Sequence, residues 1–319
     1  MNTRFHSPLA SELQEFLVWK RALGRRYREQ EKHLRSFDRV VKQDTGEHRE
    51  VCLERAITRW LRRTVRQPGT NHVMLSVVRQ FCLFRRRRDP DCYVPGDDIV
   101  ATGRAPFRPY LLSVDDVRRL SREMQTLVGP NAPLRRATFT TLLLVLFCTG
   151  LRPGEAVRLT LREVDIRRRT FFISQSKGKD RWVPFRDGLA RRIRRYLKVR
   201  LAYEPSASTS PLFLRPDGQP YTGRGVADVF RLLWRRLGLK PVAGIGGPRV
   251  MDLRHAFARH RLTRWYQEGV DLNAHLPWLS AYMGHDDLLG TETYLTASPE
   301  LLCFASRRFA ARFRREEPT

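Results

Sequence analysis

The sequence has few cysteines, no long apolar run and few acidic residues. The five cysteines among 319 residues are odd in number and form no CxxC pair, so no disulfide framework is expected. The longest apolar run, Leu142 to Cys148, is far shorter than the roughly 18 residues that a membrane-spanning helix requires. The N-terminal stretch MNTRFHSPLASEL contains no apolar signal region. These features predict a soluble cytoplasmic protein with free thiols and no membrane partner.

The shortage of acidic residues leaves a large positive charge. Asp and Glu number 33 against 60 Lys and Arg, so the formal net charge is +27. A field of this sign attracts polyanions. Nucleic acid is therefore the leading candidate partner, which would make the protein nucleoid-associated.

The length favours two domains with separate cores. Residues 1–88 show four apolar helix faces and are predicted to form a helical bundle. Residues 89–109 carry four prolines and two glycines in the stretch DPDCYVPGDDIVATGRAPFRP and are interpreted as a linker. The fourth helix ends in four arginines, which are either a solvated helix end or phosphate contacts. The charge of the whole chain favours phosphate contact by Arg85, Arg86, Arg87 and Arg88.

Residues 110–319 form the second predicted domain, which is mainly helical. Ser113 and Asp116 have capping-box spacing, and Gly150 is positioned to end a long apolar helix in a left-handed conformation. The stretch RTFFISQSKGKDRWVPF is rich in β-branched and aromatic residues around a polar centre, which predicts a β-hairpin. The expected fold is mainly α with a small β-sheet (α+β). A last helix from Ser298 would either pack on a neighbouring subunit or cap its own domain.

Four short stretches in this domain carry residues suited to phosphate chemistry. They are CTGLRPGEAVRL with Arg152 and Glu155, the hairpin centre with Lys177, MDLRH with Arg254 and His255, and YMGHDDLLGTETYL with His285 and Tyr294. In this order and spacing they resemble the tyrosine recombinase, or phage integrase, family, which has a G-L-R-x-x-E stretch, a hairpin lysine, an H-x-L-R-H box, an L-G-H box and a tyrosine about nine residues later. The resemblance covers residues 110–319, and the N-terminal helices look like the family's core-binding, DNA-binding arm.

The resemblance implies a catalytic role for five residues. Arg152 and Arg254 would hold the non-bridging oxygens of a phosphodiester, because planar guanidiniums form bidentate hydrogen bonds with such oxygens. His285 would donate a third hydrogen bond. Lys177 would protonate the departing 5′ oxygen, and Tyr294 would attack phosphorus to leave a 3′-phosphotyrosyl bond.

The resemblance also implies supporting residues and partners. Glu155 would orient the region of Arg152, Lys179 would contact the DNA backbone or compete with Lys177 as the acid, and Arg181 is assigned to DNA contact. The implied partners are double-stranded DNA, three further copies of the chain in a tetramer on two DNA sites, and related recombinase subunits. No ATP, metal or other cofactor is expected, and a transposon-borne recombinase is the preferred source.

One position departs from the family pattern. Met251 stands where the family usually has a histidine that helps to take the nucleophile's proton. Nearby Arg152, Arg254 and Lys177 would then lower the pKa of Tyr294, or His255 would substitute as the base. Two alternatives remain open: a catalytically impaired accessory subunit that holds DNA, and a topoisomerase-like nicking and closing enzyme.

Overall fold

The computed structural model describes most of the chain. The described residues are 5–25, 27–45, 51–63, 68–96, 99, 109–127, 132–174, 180–203, 209–239, 247–285, 291 and 306. The chain divides into two compact units, Met1–Phe107 and Arg108–Thr319.

The first unit is the predicted helical bundle. Its helices are α1 (Ala10–Ala22), α2 (Arg28–Thr45), α3 (Leu53–Arg62) and α4 (Pro68–Arg85). Ring contacts join the four helices in two pairs: Phe16 of α1 lies edge-on to Phe81 of α4, and Phe37 of α2 lies edge-on to Trp60 of α3. The buried carboxylate of Asp38 accepts hydrogen bonds from the main-chain N–H groups of residues 6 and 7 and so ties the segment before α1 to α2.

The second unit combines helices with a small sheet, which confirms the predicted α+β class. Its helices are α5 (Val114–Leu127), α6 (Pro133–Thr149), α7 (Pro153–Arg158), α8 (Asp187–Tyr203), α9 (Gly223–Arg236), α10 (Asp252–Gln267) and α11 (Leu272–Met283). Neither the short helix α7 nor the 3-10 turn Leu161–Glu163 was predicted. Helix α6 lies at the centre, packed against α5, α8 and α10, and most of its residues are buried, in agreement with its apolar run from Leu142 to Cys148.

The predicted hairpin is present as two strands of a three-stranded antiparallel sheet. The strands are β1 (Val164–Asp165), β2 (Thr170–Ile173) and β3 (Arg181–Pro184), in the order β1-β2-β3. Ile173 pairs with Arg181 and Phe171 pairs with Val183, so the register closes the hairpin next to residues 175–179, which lie outside the described residues. Val183 is fully buried and Trp182 is exposed, so Arg181 shares the buried face of β3 with Val183.

Two helices of the second unit, α6 and α11, have a glycine with positive φ as their C-cap residue. Gly150 has φ 64° after α6, as predicted, and Gly284 has φ 67° after α11. A Cβ at Gly150 would lie 2.5 Å from Cδ1 of Phe257 in α10, so the glycine also permits a close helix contact. The predicted capping box is present too, because Ser113 N–H donates to Asp116 Oδ2 at 2.9 Å and Asp116 N–H donates to Ser113 Oγ at 3.0 Å. None of the helices in the described ranges is long and apolar enough to cross a membrane.

Candidate functional site

Four helix ends of the second unit meet at one junction. They are the C-terminal ends of α6 and α11 and the N-terminal ends of α7 and α10, and the predicted residues Arg152, Arg254, Glu155 and His285 all lie here. The glycine caps bring this about, because a left-handed residue turns the chain sharply where each helix ends. Residues separated by more than a hundred positions in the sequence thus share one small region.

Arg152 occupies the position just before α7. Its Nη1 donates to Glu155 Oε1 at 2.8 Å and its Nη2 donates to the carbonyl oxygen of Gly284, also at 2.8 Å. The side chain is 24% exposed, so the guanidinium is anchored from within and still reaches solvent. A cation held in this way loses little further conformational entropy when it meets an anion.

Arg254 approaches the same junction from the first turn of α10. Its Nη1 donates to the carbonyl oxygen of Gly150 at 2.7 Å and its Nη2 donates to that of Met283 at 2.6 Å. Since Met283 and Gly284 are consecutive, the two arginines donate to neighbouring carbonyl oxygens at the end of α11. These last carbonyls of a helix have no partner within the helix and carry its negative dipole end, which suits buried cations.

Glu155 is a buried carboxylate between two arginines. Its Oε2 accepts from the main-chain N–H of Arg152 at 2.9 Å and from Nη2 of Arg181 at 2.9 Å, and its Oε1 accepts from Nη1 of both. A residue that is 4% exposed is stable as a carboxylate only with such partners. Its predicted supporting role near Arg152 agrees with these contacts and stays a prediction.

The predicted contact of Arg181 with DNA stays a prediction. Its side chain is only 9% exposed, and its guanidinium donates to Glu155 and to the carbonyl oxygen of Tyr282. The reason is strand alternation, which turns position 181 to the same face as the buried Val183. The sequence contained this signal, because Arg181, Val183 and Phe185 alternate with outward-facing residues.

His285 follows directly after the Gly284 cap. Its Nδ1 lies 2.7 Å from Oγ1 of Thr291, a fully buried residue that sequence reasoning missed. A hydroxyl at this distance holds the ring orientation, and it can serve either as donor or as acceptor to Nδ1. Thr291 lies three positions before Tyr294 in the sequence.

Met251 and His255 lie next to Arg254 at the start of α10. The carbonyl oxygen of Met251 accepts from the main-chain N–H of Arg254 at 3.0 Å. Burial lowers the pKa of His255; Asp252 opposes this shift, and the positive charges of Arg249 and Arg254 add to it. The imidazole is therefore neutral near pH 7 and chemically able to accept a proton.

Three predicted residues lie outside the described residues, namely Lys177, Lys179 and Tyr294. Tyr282 is a described tyrosine in α11, beside the junction, and its hydroxyl donates to the carbonyl oxygen of Pro184 at 3.0 Å. Burial raises the pKa of Tyr282 well above its ordinary value, which makes it a poor nucleophile. Its predicted role as a core residue agrees with this environment.

The four arginines at the end of α4 all have partners within the first unit. Arg85 pairs with Glu12 at 3.0 Å, Arg86 donates twice to the carbonyl oxygen of Cys92, Arg87 lies over the Trp19 ring and Arg88 pairs with Glu15 at 2.7 Å. The last three are exposed at the surface. Their contact with DNA phosphates stays a prediction.

Metal chemistry was not expected from the sequence. His255 and His260 are five positions apart, and the Nε2 of His260 lies 3.2 Å from the carbonyl oxygen of Leu112. Within the described part of the chain, no group of three or more His, Cys, Asp or Glu residues is arranged to hold a metal ion.

Comparison with known proteins gives a family match over most of the second unit. The phage integrase family matches residues 111–300. The chain is similar to the putative integrase/recombinase y4rB of Sinorhizobium fredii (strain NBRC 101917 / NGR234), with 34% identity across 96% of this chain and 98% of that protein. It is also similar to the tyrosine recombinase XerC of Lacticaseibacillus casei (strain BL23), with 32% identity across 54% of each chain.

Solved structures share the fold. The Tn1549 transposon integrase in complex with transposon right end DNA matches with a TM-score of 0.65 and 16% identity, across 94% of this chain and 99% of that one. A lambda integrase dimer bound to a core site matches with a TM-score of 0.57 and 16% identity, across 90% of this chain and 76% of that one. At these identities the likeness concerns the fold.

Proposed function

The chain belongs to the phage integrase family of tyrosine recombinases, and from this premise we propose that it cleaves and rejoins DNA at specific sites through a phosphotyrosyl intermediate. The observation that carries the proposal is the junction at which Arg152 and Arg254 donate to neighbouring carbonyl oxygens at the end of α11. Two anchored guanidiniums in one place suit a phosphodiester, whose non-bridging oxygens gain charge as phosphorus becomes five-coordinate.

The covalent step keeps the number of phosphoester bonds unchanged. The oxygen of Tyr294 forms a bond to phosphorus, and the bond between phosphorus and the 5′ oxygen breaks. The phenol loses one proton, and the 5′ oxygen gains one from Lys177. Because one phosphoester bond replaces another, the reverse attack by a 5′ hydroxyl religates the strand without ATP. The arginines supply the charge stabilisation, and the proposed step uses no metal.

His285 is proposed as the third donor to the phosphate. If the hydroxyl of Thr291 donates to Nδ1, the ring carries its proton on Nε2, which makes Nε2 a donor. This tautomer supports a role as a hydrogen-bond donor to a non-bridging oxygen. Thr291 therefore acts on the phosphate only through His285.

The proton of Tyr294 needs an acceptor other than residue 251, because a thioether cannot accept it. We assign the proton to solvent water, and the combined positive charge of Arg152, Arg254 and Lys177 favours the phenolate that remains. His255 is the second acceptor considered. Its lowered pKa keeps the imidazole in the neutral form, which can accept the proton of Tyr294. Cleavage slower than that of a recombinase with a histidine at this position is expected.

The proposed substrate is double-stranded DNA. The net charge of +27 and the helical first unit support a DNA-binding arm at residues 1–88, joined to the second unit by a linker over residues 89–109. Exchange of strands between two duplexes requires four cleavages. We therefore propose a tetramer of the chain, or of the chain with related recombinases, on two DNA sites.

A nicked duplex tests the proposal. The site is first identified by mapping the DNA that the tagged chain binds in cells, and a duplex with a nick just downstream of the scissile phosphate then traps the covalent adduct. Wild type is expected to form a protein–DNA adduct, and Tyr294→Phe is expected to form none. Tyr203→Phe, which alters an exposed tyrosine of α8, is the matched control and should behave as wild type.

A second candidate function rests on Met251, which lacks the proton-accepting group of the family's usual histidine. In this alternative the chain binds DNA as an accessory subunit of an active recombinase. The same assay separates the two functions. An unmodified wild-type chain on a duplex that it binds tightly would support the accessory role and refute the proposed chemistry.

A further inference from the structure

Arg181 begins the strand that follows the hairpin tip. It pairs with Ile173 across the hairpin and lies on the buried face of β3, and its side chain is 9% exposed. A buried guanidinium needs acceptors for its N–H groups, because an unpaired charge is costly away from water. The acceptors that it uses belong to two other elements of the candidate site.

The first acceptor is Glu155 of α7. Arg181 donates to Oε2 from Nη2 at 2.9 Å and to Oε1 from Nη1 at 3.3 Å, so the planar fork meets both carboxylate oxygens. This two-pronged geometry fixes the rotation of the carboxylate group, which a single contact would leave free. Glu155 in turn accepts from Nη1 and the main-chain N–H of Arg152.

The second acceptor lies at the end of α11. Nε of Arg181 donates to the carbonyl oxygen of Tyr282 at 2.8 Å, two residues before the glycine whose carbonyl oxygen accepts from Arg152. A Cβ at Gly284 would lie 2.6 Å from Nη1 of Arg181 and 2.8 Å from its Cζ, so the guanidinium packs directly against the cap. Arg181 therefore touches both anchors of Arg152, the Glu155 carboxylate and the Gly284 turn.

We propose that Arg181 is a positioning residue that holds Arg152 in place for the scissile phosphate through Glu155 and Gly284. This inference rests on the proposed function. Without the fork of Arg181, the Glu155 carboxylate can rotate with Arg152 attached, and the end of α11 loses the hydrogen bond from Arg181 to the carbonyl oxygen of Tyr282. Arg152 then spends less time in the geometry that the transition state needs.

Substitution at Arg181 is expected to slow the chemical step. Arg181→Lys keeps the charge and loses the planar fork, and Arg181→Met keeps most of the length and loses the charge. Single-turnover adduct formation on the nicked duplex should fall by about 10-fold to 100-fold, the size expected for a small misplacement of a catalytic group. The duplex concentration that gives half-maximal rate should change little, because the Arg181 side chain is only 9% exposed and its guanidinium is already bound by Glu155 and by the end of α11.

Two modified duplexes separate this role from a loss of structure. A methylphosphonate at the scissile position replaces one charged non-bridging oxygen and so reduces the need for a well-placed Arg152. A 5′-bridging phosphorothiolate improves the leaving group and reduces the need for the general acid. The ratio of wild-type to Arg181→Lys rate should shrink on the methylphosphonate and stay unchanged on the phosphorothiolate. Glu155→Gln should show the same pattern, since it weakens the same link.

The controls keep the inference separate from the proposed function. Arg168→Lys alters a largely exposed arginine beside the same sheet and should match wild type on every duplex. If wild type forms no adduct, the proposed function fails. If wild type reacts and Arg181→Lys equals it, or if the ratio shrinks only on the phosphorothiolate, Arg181 does not act through Arg152 and this inference alone is overturned. A thermal unfolding curve for each variant shows whether a slow variant is folded, and Arg181→Lys carries the test if Arg181→Met is not.

Discussion

Replacing Gly284 by alanine should damage both stability and cleavage, more than the same change at another left-handed glycine. Gly284 ends α11 with φ 67°, and a Cβ there would lie 2.6 Å from Nη1 of Arg181. Gly238 follows α9 with φ 68°, and a Cβ there would meet nothing within 4 Å. The two glycines have the same backbone conformation and lie in the same unit of the chain. They differ in how closely other atoms approach the position of an added Cβ.

The expected magnitudes follow from these contacts. An alanine in the left-handed region costs roughly 1–2 kcal/mol at either position. At Gly284 the Arg181 guanidinium must also move away from Glu155 and Tyr282, and hydrogen bonds of a charged group are worth about 1.5–3 kcal/mol. Gly284→Ala should therefore lower the free energy of unfolding by about 2.5–5 kcal/mol, against about 1–2 kcal/mol for Gly238→Ala.

Denaturant unfolding and adduct formation together check this prediction. Both substitutions lie in the second unit, so both shift the same transition when the two units unfold separately. Gly238→Ala should keep the wild-type rate of adduct formation, and Gly284→Ala should lose about 10-fold or more, because its carbonyl oxygen holds Arg152. Equal destabilisation by the two alanines, with equal rates, would refute the reasoning from crowding.

Two further predictions concern proton transfer near α10. Met251→His should raise the rate of adduct formation by about 10-fold to 100-fold, because it supplies a general base, and Met251→Gln should not; a histidine variant no faster than wild type would contradict the assignment. The lowered pKa of His255 means that its neutral form is favoured in the folded chain, so between that pKa and the ordinary value of about 6.5 the unfolded chain binds more protons. The free energy of unfolding should therefore fall as pH drops below about 6.5, by no more than about 1.4 kcal/mol per pH unit from this group, and His255→Gln should flatten the curve between pH 7 and pH 5. Parallel curves for the two proteins would show that His255 does not contribute.

The helices and the hairpin were predictable because their signals are local. The apolar periodicity of α10, the glycine after α6 and the alternation in β2 and β3 each depend on neighbours a few residues away. Helix α7 is only six residues long, too short for a periodic pattern to develop. Its start is defined by the side chain of Glu155, which accepts from the main-chain N–H of Arg152.

The candidate site was only partly predictable, because its contacts join distant parts of the chain. Family spacing pointed to Arg152 and Arg254, but no pattern in the sequence shows that both donate to carbonyl oxygens at the end of α11. Arg181 was assigned by its charge and its place beside the hairpin lysines, whereas its exposure is decided by strand alternation. Thr291 has a side chain too ordinary to attract attention, and its contact with His285 depends on tertiary folding.

The C-terminal ends of α6 and α11 place partly negative carbonyl oxygens beside Arg152 and Arg254. Main-chain oxygens at the negative poles of two helices already draw together guanidiniums that would otherwise repel one another. The conformational entropy of gathering them is lost once, during folding. A phosphate that reaches them would meet cations that are already gathered. Because every DNA sequence presents the same phosphate, discrimination between DNA sequences must arise from contacts made elsewhere along the duplex.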